Sequence, residues 1–276
     1  MAEYFPRTKD LPAQSPPFWV AHKDRYLRQL LIRDIQSETK RELIAYFTDC
    51  DHSQAQIDQA DDVAFSELLL ACVGKPVDLL LETNGGYTDA TEKICSLLRQ
   101  SAPDLRVIVP RRAKSNGTVI ALCGSEILMG QQSELGPIDP HLAGIPAEFI
   151  VTAPPGSYQQ VDVQFANAFR SQTMKLAKTL LTTGMMSAST KDEIDQTVKS
   201  LATKEVYHSH GSTIDADEAI NLKLNVKKFA PADALWQKIW LLRSMYQYDC
   251  SQQRIAKIFE SATISTSVAN IPPLKA

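Results

Sequence analysis

Val77-Asp78-Leu79-Leu80-Leu81-Glu82-Thr83-Asn84-Gly85-Gly86 is an apolar strand that runs into a paired-glycine turn. A helical stretch from Thr88 to about Arg99 follows it. The same grammar returns in the next unit. Leu105 to Pro110 is a second apolar strand, and it leads through Arg111-Arg112-Ala113-Lys114 to Ser115-Asn116-Gly117-Thr118 and a helix of small residues. Two consecutive strand–turn–helix units predict an α/β core. Each turn sets backbone N–H groups at a helix N-terminus, where negative charge is stabilised. A serine in such a turn can attack a carbonyl while those N–H groups hold the oxyanion. The plain alternative for Ser115 is a helix N-cap, and for Gly85-Gly86 a tight turn.

Upstream, residues 1–20 carry Pro6, Pro12, Pro16 and Pro17 and read as an extended arm. Lys23 to Asp34 reads as a short helix, Leu43 to Thr48 as a strand, and Ile57 to Cys72 as an amphipathic helix. Downstream, Glu126 to Met129 is strand-like. Leu135-Gly136-Pro137-Ile138-Asp139-Pro140 is held by two prolines that fix φ. Ile145 to Val151 reads as a short strand. The stretch 152–160, with Pro154-Pro155-Gly156, reads as a mobile loop suited to act as a lid. Val161 to Leu181 and Thr190 to Leu201 read as helices, the second with acidic residues in its first turn. Asp215 opens a short helix ending near Leu222. Residues 232–260 read as helical, with Trp236, Trp240 and Tyr246 on a wide apolar surface, and Ser261 to Ala276 as a polar, arm-like tail. The implied division is an N-terminal arm over 1–36, a catalytic core over 37–228 and a C-terminal helix and tail over 229–276.

The 276 residues carry a net charge of −3 with no basic block, which disfavours a nucleic-acid partner. No apolar run is long enough for a membrane span. The start of the chain lacks the apolar stretch of a signal peptide. The five cysteines are too far apart for metal-ligand spacing and read as free thiols, Cys72, Cys95 and Cys123 among apolar neighbours. A reducing compartment, the cytoplasm, is the matching expectation. No metal and no organic cofactor is expected.

Three pieces in order carry a family resemblance: Leu80 to Gly86, Ala113 to Thr118, and Leu135 to Pro140. They resemble the Clp-protease/crotonase superfamily. The latter two pieces, with His208-Ser209-His210-Gly211 before an acidic helix, look most like its serine dehydrogenase proteinase family, relatives of the signal-peptide peptidases. The resemblance implies a ββα superhelical core, assembly into homo-oligomers and a nucleophile at Ser115. It also implies oxyanion donors at the N–H groups of Gly86 and Asn116.

The base stays open. Lys175, then Lys178, are the first lysines after Ser115 and would form a Ser–Lys dyad as in signal-peptide peptidases, though neither falls on the apolar face of its helix. His141 lies at nearly the separation of the Clp histidine, but the aligned Leu135 to Ile138 piece puts Ile138 there instead. His208 and His210 are candidates because histidine is the side chain most often suited to base chemistry near neutral pH. Asp139 would orient whichever base acts. The leading expectation is an ATP-independent serine peptidase of the cytoplasm, its peptide substrate lying extended beside Gly85–Tyr87 by strand addition. A non-hydrolytic acyl-thioester enzyme of crotonase type and an inactive oligomeric scaffold are the alternatives.

Overall fold

A computed structural model of the chain describes residues 15–51 and 55–270. The helices are α1 (Pro16–Ala21), α2 (Lys23–Thr39), α3 (Asp61–Leu70), α4 (Thr88–Ser101), α5 (Asn116–Ala121), α6 (Ala147–Thr152), α7 (Gln160–Thr183), α8 (Lys191–Ala202), α9 (Ala216–Asn221) and α10 (Ala234–Gln253). The main strands are β1 (Glu42–Thr48), β2 (Val77–Glu82), β3 (Leu105–Val109), β5 (Glu126–Met129), β9 (Val226–Lys228), β10 (Ile255–Ser261) and β11 (Ser265–Ala269). Short pairs are β4 (Arg112–Ala113) with β6 (Glu134–Leu135), and β7 (His141–Leu142) with β8 (Ile145–Pro146).

The main sheet has the order β11-β10-β1-β2-β3-β5-β9. β1, β2, β3, β5 and β9 are parallel; β10 and β11 add to the edge in antiparallel sense. Helices cover both faces, which is why the strands read as continuous apolar runs. Ile44, Tyr46, Leu79, Leu81 and Val107 face one core, shared with α3, α4, α5, α7 and α8. Leu43, Ala45, Phe47, Leu80 and Ile108 alternate to the other face, against Ile32 and Ile35 of α2 and Trp236, Ile239, Leu242 and Tyr246 of α10. This is the expected α/β core, its sheet mostly parallel, with a C-terminal helix packed on it.

Several boundaries differ from the reading of the sequence. Residues 16–21, taken as extended arm, form α1, with proline at its first turn where no N–H is needed; residues 1–14 lie outside the described set. Of Ile145 to Val151, read as a strand, only Ile145–Pro146 is one, and Ala147–Thr152 is helix α6. The helix read over 57–72 begins only at Asp61, because Ile57 pairs instead with the backbone of Gly85 and Tyr87. The helix read over 232–260 stops at Arg254, which takes a left-handed φ of 53°. The end of that stretch, read as helix, is instead strand β10, and the tail read as an arm contributes β11 to the sheet. Lys257 and Glu260 of β10 are both buried, in ion pairs. Lys257 holds Asp61 at 2.8 Å, and Arg28 holds Glu260 at 2.8 Å and also pairs with Asp249. Removing one partner from such a pair strands a buried charge and costs roughly 3–5 kcal/mol.

Candidate active site

A second, small ladder stands at the C-terminal ends of the parallel strands and gathers the candidate residues. Thr83 bridges Ala113 in parallel, Ala113 bridges Leu135, and Leu135 bridges Ile214 in antiparallel sense. Each rung carries a functional segment close by. Gly85 and Gly86 follow Thr83, Ser115 follows Ala113, Asp139 follows Leu135, and His210 precedes Ile214. Residues nearly a hundred positions apart therefore meet at one end of the sheet.

Ser115 begins α5 with φ 52° and ψ −122°, a conformation that L-residues avoid. Its side chain makes no capping hydrogen bond, so the N-cap alternative finds no support. Surrounding bonds hold the turn. Gly117 N–H donates to Lys114 O at 2.7 Å, and Thr118 Oγ1 lies 2.7 Å from Ala113 O while accepting Gly136 N–H at 3.0 Å. Lys114 points away from the serine, to Glu134 at 2.9 Å and Ser212 O at 2.9 Å.

The glycine turn packs directly on this elbow. Gly85 has φ +101°, and a Cβ there would meet Ser115 Cβ and Lys114 O. Gly85 O accepts Ile57 N–H at 2.9 Å. Because C=O and N–H point oppositely across a trans peptide, that bond turns Gly86 N–H away from Ile57. Among the described residues, neither Gly86 N–H nor Asn116 N–H has a backbone acceptor. The buried Asn116 side chain joins the two turns, its Nδ2 donating to Gly86 O at 2.6 Å and to Thr88 Oγ1 at 3.2 Å.

A cavity of about 390 Å³ opens here, lined by Gly86, Tyr87, Ser115, Asn116, Asp139, His141 and His210, among others. Asp139 is 2% exposed and receives three basic groups. His210 Nδ1 stands 2.9 Å from its Oδ1, while His141 Nε2 at 3.0 Å and Lys204 Nζ at 2.6 Å share Oδ2. Burial alone would raise the Asp139 pKa, but the bonds from His210 and Lys204 outweigh it and hold the carboxyl below its usual range. Burial lowers the His141 pKa, and the charge of His210 acts in the same direction. The two imidazole rings lie 4.2 Å apart between centroids.

The other base candidates stand elsewhere. Lys175 lines a separate cavity of about 670 Å³ between α4 and α7. Lys178 is paired with Asp195. His208 is exposed and contacts Lys204 O at 2.9 Å through Nδ1. Lys204 and the tie made by Asn116 escaped the sequence reading. Lys204 lies 65 positions from Asp139, and the Ile138 N–H donated to Leu201 O at 2.8 Å brings their neighbourhoods together.

The chain belongs to the ClpP-like SDH-type serine proteinase family, whose description matches residues 28–258. It is 40% identical over 103 residues to an uncharacterized protein of Methanocaldococcus jannaschii, covering 37% of this chain and 34% of that relative. A second uncharacterized protein of that organism is 38% identical over 78 residues, 28% of this chain and 27% of the relative. The alignments thus span about a third or less of these curated relatives. Similar solved structures include a ClpP1 variant from Listeria monocytogenes, with TM-score 0.46, 14% identity, and 72% of this chain and 98% of that one covered. A variant of the 1510-N membrane-bound stomatin-specific protease gives TM-score 0.42 and 20% identity, covering 65% and 76%. No helix among the described residues is long and apolar enough to cross a membrane.

Proposed function

We propose that this family member is a peptidase in which Ser115 is the nucleophile, His210 the base and Asp139 the group that orients it. The observation that carries this reading is the His210–Asp139 contact in the cavity that Ser115 also lines. An ionised carboxylate only accepts hydrogen bonds, so Nδ1 carries the proton and Nε2 keeps its lone pair. That is the tautomer a serine base needs. His141 has the opposite arrangement. Its outer nitrogen, Nε2, is taken by Asp139, which leaves Nδ1 close to its own backbone. The Ser–Lys expectation is set aside, since Lys175 and Lys178 lie away from the Ser115 cavity.

Ser115 Oγ attacks the peptide carbonyl carbon and its proton passes to His210 Nε2. The N–H groups of Gly86 and Asn116 receive the developing oxyanion. Collapse returns the proton to the leaving amine and leaves an acyl ester on Ser115, which water, deprotonated by His210, hydrolyses. The exposed Tyr87 side chain beside Gly86 gives an extended peptide a surface to pack on, while the Gly85 O and Tyr87 N–H that strand addition would use are already paired with Ile57. Assembly of several copies fits the family and the exposed Phe149 and Phe165 on α6 and α7. Cleavage of an unstructured protein such as casein by the full chain, lost in Ser115→Ala, tests the reading. Absence of cleavage by a folded, assembled wild type counts against it.

A further inference from the structure

Asp139, His141 and His210 each offer one ligand atom, and the three atoms lie within 4.8 Å of one another. They face the cavity that holds Ser115. We infer that this cluster is also a binding site for a divalent transition ion of the zinc class, and that the ion switches the hydrolase off. The binding half stands on the cluster alone; the inhibitory half rests on the proposed role of His210.

Two imidazoles and a carboxylate form a nitrogen-rich donor set that suits zinc, cobalt or nickel rather than magnesium or calcium. Tetrahedral zinc with bonds of about 2.0–2.2 Å spaces its ligand atoms roughly 3.3 Å apart. His210 Nδ1 lies 2.9 Å from Asp139 Oδ1, already near that spacing, while His141 Nε2 lies 3.0 Å from the other oxygen, Oδ2. The remaining adjustment falls on imidazole rings whose side chains are 26% and 32% exposed and so have room to turn. Three protein ligands leave a fourth position open to water or to Ser115, as in zinc sites that exchange. The ion would displace the hydrogen bonds that now join the imidazoles to Asp139, and His210 would lose the support of that carboxylate. Lys204 opposes the ion. Its ammonium lies 2.6 Å from Asp139 Oδ2 and commits that oxygen, which makes the site a weak, reversible one rather than a structural centre.

The test uses the chelator-treated full chain. Zinc alone is titrated by calorimetry, and cobalt is added as a visible-absorbing stand-in. Expected are one zinc per chain, a tetrahedral cobalt spectrum, and binding that is kept in Ser115→Ala and weakened at least tenfold in both His141→Asn and His210→Asn. Lys204→Gln tightens binding if it folds; melting curves for every variant check this. Zinc that binds equally to wild type and to a folded His141→Asn/His210→Asn double variant, or does not bind at all, overturns the site. Labelling of Ser115 by a fluorophosphonate should fall with zinc and return with chelator. Zinc binding that leaves labelling unchanged overturns the switch. If metal-free wild type never labels, the hydrolase reading fails and the inhibitory half with it, while the binding result stands by itself.

Discussion

A Cβ on Gly85 would stand 2.8 Å from the Cβ of Ser115. The glycine is therefore what lets the first turn approach the second closely enough for Gly86 N–H and Ser115 to share a cavity. Gly85→Ala combines that overlap with a φ of +101°, and the backbone term alone costs about 1–3 kcal/mol. We expect a lower urea midpoint and a fluorophosphonate labelling rate that falls further than the loss of folded protein explains. Labelling at the wild-type rate would detach the glycine turn from the site.

Asn116→Ala removes the donor that holds Gly86 O at 2.6 Å. The stranded carbonyl costs about 1–3 kcal/mol. The larger effect should be kinetic. Complete loss of an oxyanion donor costs roughly 10²–10³ in kcat, and a loosened one a part of that. A tenfold drop in kcat with little change in KM is the expected pattern; a change in KM alone would assign Asn116 to substrate binding.

His210→Gln should lower turnover by roughly 10³-fold or more, as loss of a triad member does. His141→Asn should cost less, because its outer nitrogen faces Asp139 rather than the serine. Lys175→Ala and Lys178→Ala should leave turnover unchanged, since both side chains lie outside the Ser115 cavity. An inactive Lys175→Ala protein that still folds would restore the Ser–Lys reading.

Glu134 carries a pH signature of stability. Burial works to raise its pKa, but hydrogen bonds from Lys114 and Thr213 outweigh this and leave it below the ordinary glutamate value. The unfolded chain then binds the proton more readily, so stability rises with pH across this window. The contribution is complete above the ordinary value, about 4.3, and is lost as pH falls through the lower folded value. Glu134→Gln should flatten this part of the stability–pH curve, measured by urea melts. An unchanged slope would show that Lys114 and Thr213 do not hold the carboxylate.

The pattern legible in the sequence is the local one. Apolar strands, the glycine pair and the strand at Glu126–Met129 announce themselves within a few positions. Contacts across the fold do not. His141 and His210 both stood among the candidates, with Asp139 as the group to orient one of them, but nothing near either histidine indicates that both reach it, or that Lys204 makes a third donor to it. Their meeting depends on the Leu135–Ile214 rung, a pairing across 79 positions of chain. The C-terminal strands were hidden for a related reason. The helix reading ran on through 255–260, and nothing local to that stretch announces that Asp61 and Arg28, from the other end of the chain, neutralise Lys257 and Glu260 in a buried strand.

The most direct measurement is the intact mass and peptide map of the full chain after treatment with a fluorophosphonate probe. The account predicts a single adduct on Ser115, absent in Ser115→Ala and formed far more slowly in His210→Gln. A folded wild type that takes no adduct, an adduct on another residue, or a His210→Gln protein labelled as fast as wild type would contradict it.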